Sequence, residues 1–231
     1  MMSTAQRVER KQGMKQKRKR KRWDSFTDWA RDRTKGILNP IVRVLGRLGV
    51  HPNTVTIVGF LLQVGVGILF ALGHITWGGW SLMIVGPVDA LDGLLARTVG
   101  QKSLFGAFLD STLDRLSDAA LILGLTAHYL RQGSHLEAAL LLASLVAVSM
   151  VSYVRARAEA LGFPCKVGVL TRLERILLIS VLSALGLNTL MIWALAVLSV
   201  ITMLQRILYV YAVSRRGGSG DRESQPGNPD H

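Results

Sequence analysis

The chain has 231 residues, 49% of them hydrophobic, and a formal net charge of +13. That length allows one domain of ordinary size, and so much apolar material beside so much charge requires the two to occupy different stretches. The single cysteine, Cys165, excludes an intrachain disulfide and reads as an incidental thiol in a basic loop. In chain order, a run from Lys15 to Arg22 comes first, and more than half of all Lys and Arg precede Val50. Beside a membrane domain such a run reads as a cytoplasmic anchor for anionic lipid, and no nucleic-acid partner is expected. The first long apolar segment begins only near Thr54, too late for a cleavable signal peptide.

Residues 1–23 are therefore expected to be a disordered basic tail. Over 24–50, Phe26, Trp29, Ile37, Ile41, Leu45 and Leu48 recur at three-to-four-residue spacing between arginines and lysines, the pattern of an interfacial amphipathic segment. Asn39-Pro40 divides it into two short helices. His51-Pro52-Asn53-Thr54 reads as a turn, with Asn53 or Thr54 capping the next helix. Six stretches then have the roughly 20 residues that a bilayer core of about 30 Å demands. They run near Thr54–Leu72, Trp77–Leu95, Leu104–Leu130, Leu136–Ala156, Leu170–Leu187 and Thr189–Val213.

The loops alternate in charge: the first, third and fifth carry few or no basic residues, whereas Arg97, Lys102, Arg155, Arg157, Lys166, Arg172 and Arg175 mark the second and fourth. The predicted fold is thus an all-α, multi-pass integral membrane protein of six transmembrane helices over 51–214, preceded by an amphipathic helix. Both termini and the basic loops face the cytoplasm. The polar segment 215–231 is expected to be disordered.

Four carboxylates stand at the cytoplasmic ends of the second and third spans. Asp89 and Asp92 are three apart and Asp110 and Asp114 four apart, so each pair projects from one helix face. Charges inside a membrane segment are costly and four like charges repel, so a cation must compensate them. Hard oxygen ligands suit Mg²⁺ or Mn²⁺, and a pair of such ions clamps a diphosphate and stabilises its leaving oxygen. Gly93 and Gly106 permit close approach of helices or ligand, and Arg97 has the guanidinium fork for a diphosphate.

The segment Asp89-Ala-Leu-Asp92-Gly93-Leu-Leu-Ala96-Arg97, eight residues, then Gly106-Ala-Phe-Leu-Asp110-Ser-Thr-Leu-Asp114 resembles the complete signature of the CDP-alcohol phosphotransferases, and six spans with a cytoplasmic site resemble their architecture. The resemblance implies metal binding by Asp89, Asp92 and Asp110, with Asp114 beside the metals as general base. It implies a CDP-lipid pocket shaped by Gly93, Ala96, Arg97 and Gly106, and a homodimer. The residues alone leave open a covalent role for Asp114.

Tyr153-Val-Arg155-Ala-Arg157-Ala-Glu159 and Arg172-Leu-Glu174-Arg175 look like the runs of the phosphatidylinositol phosphate synthases and their archaeal ether-lipid relatives. That likeness assigns Arg157, Arg175 and the intramembrane Arg206 to the phosphate of an acceptor, inositol 1-phosphate first and glycerol 3-phosphate second. Asp118 continues the Asp110 and Asp114 face, in position to pair with one of these arginines. A transporter is the rival reading, disfavoured because the aspartates gather at one membrane face without internal repeats.

Overall fold

The computed structural model describes residues 40, 42–88, 91, 94, 95, 98, 103–165 and 167–220. The chain divides into two units, Met1–Ile41 and Val42–His231. The expected basic tail, most of the amphipathic segment and residues 221–231 lie outside the described residues, and the helical bundle belongs to the second unit. All regular structure among the described residues is helical. Of the amphipathic segment, residues 42–47 are helical and end at Gly49, whose φ of +69° closes the turn.

Among the described residues there follow the α-helices α1 (Pro52–Ala71), α2 (Ile75–Val85), α3 (Leu104–Arg131), α4 (His135–Ala160), α5 (Arg172–Ala184) and α6 (Asn188–Gly220), with Leu91, Leu94, Leu95 and Thr98 also helical between α2 and α3. Helix α1 is capped by His51 rather than by Asn53 or Thr54: His51 Nδ1 accepts from the Asn53 amide at 3.2 Å, which places Pro52 in the first turn. Proline belongs there because its missing N–H costs nothing at a helix start. The single helix expected over Trp77–Leu95 breaks instead. Its first α-helical part ends at Val85, a 3₁₀ turn spans Gly86–Val88, and Leu91, Leu94 and Leu95 are helical again, because Pro87 lacks an amide hydrogen and its ring crowds the preceding turn. Ser103 caps α3 by accepting from the Gly106 amide at 2.9 Å. Helix α6 continues to Gly220, into the segment expected to be a tail.

The helices pair as three hairpins. Each turn holds one glycine with positive φ, Gly73 at +90°, Gly133 at +73° and Gly186 at +73°. In each the glycine and the next residue donate back to the preceding helix end, as in Ser134 N to Tyr129 O at 2.9 Å and Leu187 N to Leu182 O at 2.8 Å. The three turns lie at one end of the unit. At the other end lie the N-termini of α1, α3 and α5, which run parallel to one another.

The core that holds this array is built from Phe70, Leu82, Leu121, Ile122, Leu125, Leu141, Ile179, Met191, Ile192 and Leu195. Around it the surface exposes Leu61, Ile84, Val146, Leu204 and Leu208, an apolar girdle that water would penalise and lipid would not. Three described helices are long and apolar enough to cross a membrane: Pro52–Ala71, His135–Ala160 and Asn188–Arg215. Helix α3 has the length, at 28 residues, but carries Asp110, Asp114, Arg115 and Asp118. Helix α5 has 13 residues and rises only about 20 Å.

Lipid offers helices no hydrophobic reason to associate, so close van der Waals packing over small residues must do it. Helices α1 and α3 meet at Gly67 and Gly124. A Cβ on Gly67 would lie 2.6 Å from Ala120 O, and one on Gly124 would strike the Gly67 carbonyl. A Cβ on Gly65 meets nothing within 4 Å. Gly124→Ala should therefore lower the melting temperature of the detergent-solubilised protein by several degrees, a loss of about 1–3 kcal/mol from overpacking. Gly65→Ala should leave it unchanged or raise it, and a thermal scan of both variants checks the contrast.

Candidate active site

Asp110, Asp114 and Asp118 succeed one another at four-residue spacing on one face of α3. Asp110 and Asp114 are half-buried at the helix's N-terminal half, and Asp118, one turn deeper, is buried. Helix α5 runs parallel to α3 and meets this face with two arginines three residues apart. Arg172 Nη1 stands 2.6 Å from Asp114 Oδ1. Arg175 forks onto Asp118, Nε donating to Oδ1 at 3.4 Å and Nη2 to Oδ2. Side chains of Arg175 and Asp118 are 3% and 5% exposed, whereas Arg172 and Asp114 are 25% and 28% exposed. The inner pair is thus shut off and the outer one open to a ligand.

The segment before α5 is held from α6. Thr202 Oγ1 accepts from the Leu170 amide at 3.0 Å while donating to Leu198 O at 2.7 Å. Arg206, buried within the last helix, donates from Nε to Val167 O at 2.9 Å and from Nη1 to Val151 O at 2.5 Å. Those bonds tie α6 both to the segment that delivers Arg172 and to α4. Cys165, expected as an incidental loop thiol, is fully buried in that segment, because the clamp draws the loop inward.

The structure therefore gathers Asp110, Asp114, Arg175 and Arg206 at the same end of the bundle. Arg157 is exposed and lines an apolar groove with Tyr153, Leu161, Ile207 and Val210 between α4 and α6. Gly106 sits at the start of α3, where an added Cβ would lie 3.0 Å from Asn53 Oδ1, so its lack of a side chain lets α1 and α3 start together. Asp89, Asp92, Gly93, Ala96 and Arg97 lie outside the described residues, and among the described residues no three His, Cys, Asp or Glu side chains converge. Arg172 is a site residue that the sequence pattern does not assign to the acceptor. Its spacing from Arg175 matches that of two neighbours on one helix face and is the signal that could have found it.

Residues 49–208 match the CDP-alcohol phosphatidyltransferase family. The archaetidylinositol phosphate synthase of Methanothermobacter thermautotrophicus is 38% identical over 183 residues, covering 74% of this chain and 91% of that protein. The crystal structure of Mycobacterium tuberculosis phosphatidylinositol phosphate synthase with CDP-DAG bound is similar with a TM-score of 0.71 at 32% identity, covering 84% of this chain and 98% of that one. The same enzyme in complex with manganese and citrate is similar with a TM-score of 0.67 at 32% identity, over 84% of this chain and 92% of that one. With a matched family domain spanning most of the chain and relatives aligned over nearly their whole length, this protein belongs to the CDP-alcohol phosphatidyltransferase family, the membrane transferases of phospholipid biosynthesis.

Proposed function

We propose that this protein transfers the lipid phosphate group of a CDP-lipid, diacyl or ether-linked, to a hydroxyl of inositol 1-phosphate and releases CMP. The observation that carries this reading is the juxtaposition of Asp114 with Arg172 at 2.6 Å. A small molecule bearing both a hydroxyl and a phosphate would find a proton acceptor and a guanidinium side by side. The names of the relatives and the CDP-DAG complex of the mycobacterial enzyme support the same acceptor and donor.

In the step itself, the acceptor hydroxyl oxygen attacks the phosphorus that bears the lipid, and a new P–O bond forms. The bond from that phosphorus to the oxygen bridging toward the CMP phosphorus breaks, and CMP leaves with the electron pair. Asp114 takes the hydroxyl proton and holds that oxygen in line, work that depends on position more than on basicity. Arg172, Arg175 and Arg206, with Arg157 at the rim, hold the acceptor phosphate, whose planar bidentate recognition favours arginine over lysine. Gly93, Ala96, Arg97 and Gly106 form the CDP pocket.

Asp89, Asp92, Asp110 and Asp114 would hold two Mg²⁺ or Mn²⁺ ions. The fit is chemical: all four donors are carboxylates, and Asp110 and Asp114 stand half-buried one turn apart on the same face of α3. A divalent ion bound there neutralises the diphosphate and stabilises charge on the departing oxygen. In the membrane, we read six spans, with both termini and the aspartate end cytoplasmic, the basic tail and amphipathic segment lying on that surface, and two copies forming a homodimer. Supporting the orientation, the turns at Gly73 and Gly186 carry no Lys or Arg, while the opposite end holds Arg155, Arg157, Arg172 and Arg175.

CMP release by purified protein with Mg²⁺ and CDP-diacylglycerol or its ether analogue tests the reading directly. Turnover is expected with inositol 1-phosphate and not with free inositol or serine, and chelation should abolish it. Asp114→Asn should reduce it by roughly 10²- to 10⁴-fold. Turnover with glycerol 3-phosphate instead would retain the chemistry and replace the acceptor, and CMP release insensitive to the substitution would sink both.

The inner ion pair makes a separate prediction. Asp118→Ala strands a buried guanidinium and should cost about 3–5 kcal/mol, read as a large fall in melting temperature. Asp118→Leu combined with Arg175→Met removes both charges and should recover most of that stability while KM for the acceptor stays high.

A further inference from the structure

Helix α5 presents Arg172 from its first residue, and that first turn carries no side-chain cap on its own backbone. Thr171 stands at the N-cap position, but its hydroxyl donates to the Glu174 carboxylate instead of accepting from an amide. A helix start without a cap frays readily, because its first amides have no partner within the helix. One turn further in, Arg175 is fixed by its buried fork onto Asp118. Arg172 and Asp114 are partly exposed, so burial does not fix the outer pair as it fixes the inner one. Where Arg172 stands depends on what holds the chain just before it.

Thr202 supplies that hold. Two residues before Arg172, the Leu170 amide donates to Thr202 Oγ1 at 3.0 Å, and both residues are buried. The hydroxyl spends its own hydrogen on Leu198 O at 2.7 Å, one turn back along α6, which leaves its oxygen to the loop as an acceptor. Gly168 lets the loop come this close. Its φ is +141°, and a Cβ there would lie 2.8 Å from Thr202 Cγ2, so both the backbone conformation and the facing methyl group exclude a side chain. The Leu170 amide has left water to reach this hydroxyl, and a buried donor that loses its acceptor destabilises the arrangement that buries it.

We propose that Thr202 is a positioning residue for the acceptor, acting through Arg172. Its hydroxyl sets where α5 begins, and with it the place of the guanidinium that receives the acceptor phosphate. The inference rests on the role proposed above for Arg172. In that reading the CDP-lipid is held by other residues, so loss of the hydroxyl falls on one substrate and spares the other. A threonine that merely stabilised the bundle would make no such distinction.

Three variants of the full chain test this in the CMP-release assay. Thr202→Val keeps the side chain's shape and removes the hydroxyl, Thr202→Ser keeps the hydroxyl and removes the methyl group, and Gly168→Ala pushes the loop away from Thr202. Thr202→Val and Gly168→Ala should raise KM for the phosphorylated acceptor roughly tenfold, with kcat and KM for the CDP-lipid unchanged, the pattern of lost binding rather than lost chemistry. Thr202→Ser should restore the acceptor KM. The acceptor in the assay is the one the wild type turns over, inositol 1-phosphate or glycerol 3-phosphate, so an error in the acceptor shows in the wild type and an error here shows only in the variants. An unchanged acceptor KM in Thr202→Val overturns the proposal. So does a rise of both KM values together, or a Thr202→Ser variant that behaves like Thr202→Val. Should Thr202→Val not fold, Gly168→Ala decides by the same split between the two KM values.

Discussion

Asp118 and Arg175 face each other buried between α3 and α5, and the positions of those two helices follow from that pair. A carboxylate and a guanidinium so enclosed are tolerated only together, since either alone would bear a desolvation cost of several kcal/mol. Their forked contact fixes the rotation of α5 against α3. One turn outward on both helices, the same register brings Arg172 to Asp114, still accessible. The enclosed pair thus acts as a template for the exposed one, and the Asp114 carboxylate is aligned by the contact one turn beneath it.

A second tier of support comes from α6. Its Thr202 and Arg206 hold the backbone of 167–170 and reach across to Val151 in α4, so the entry into α5 is held on two sides. The glycine contact between α1 and α3 serves the same end, because it sets the depth of the aspartate face against the neighbouring helix without needing a hydrophobic drive that lipid cannot supply. The site is therefore built from three hairpins whose tight turns lie far from it. Its precision derives from helix packing rather than from loops.

Much of this is legible in the sequence, for physical reasons that differ by element. Helix α3 is placed within a residue of its ends, Leu104–Leu130 against Leu104–Arg131, because a serine cap opens it and a glycine turn closes it. The carboxylate face follows from four-residue spacing alone. Hydropathy runs the second span on through Pro87 without a break, where the structure puts a 3₁₀ turn at Gly86–Val88 before Leu91, Leu94 and Leu95 are helical again. It overextends helix α5, since Leu170 and Leu187 are apolar yet belong to a clamped loop and a turn. The destination of Arg206 is beyond its reach: a lone intramembrane arginine announces that something must receive it, but backbone carbonyls distant in sequence leave no mark on composition.

Helix α5 is short at a particular end. Its C-terminus meets the Gly186 turn level with the other two turns, so the shortfall of roughly 10 Å against a bilayer core lies on the side of Arg172. Helix α6 passes Arg206 and continues to Arg215, about 14 Å further. In the orientation we propose, Arg172 and Asp114 would then lie deeper than the end of α6, and an acceptor from water and a diphosphate from the lipid would each have to cover that difference in depth, a distance that hydrophobic mismatch between bundle and bilayer would adjust.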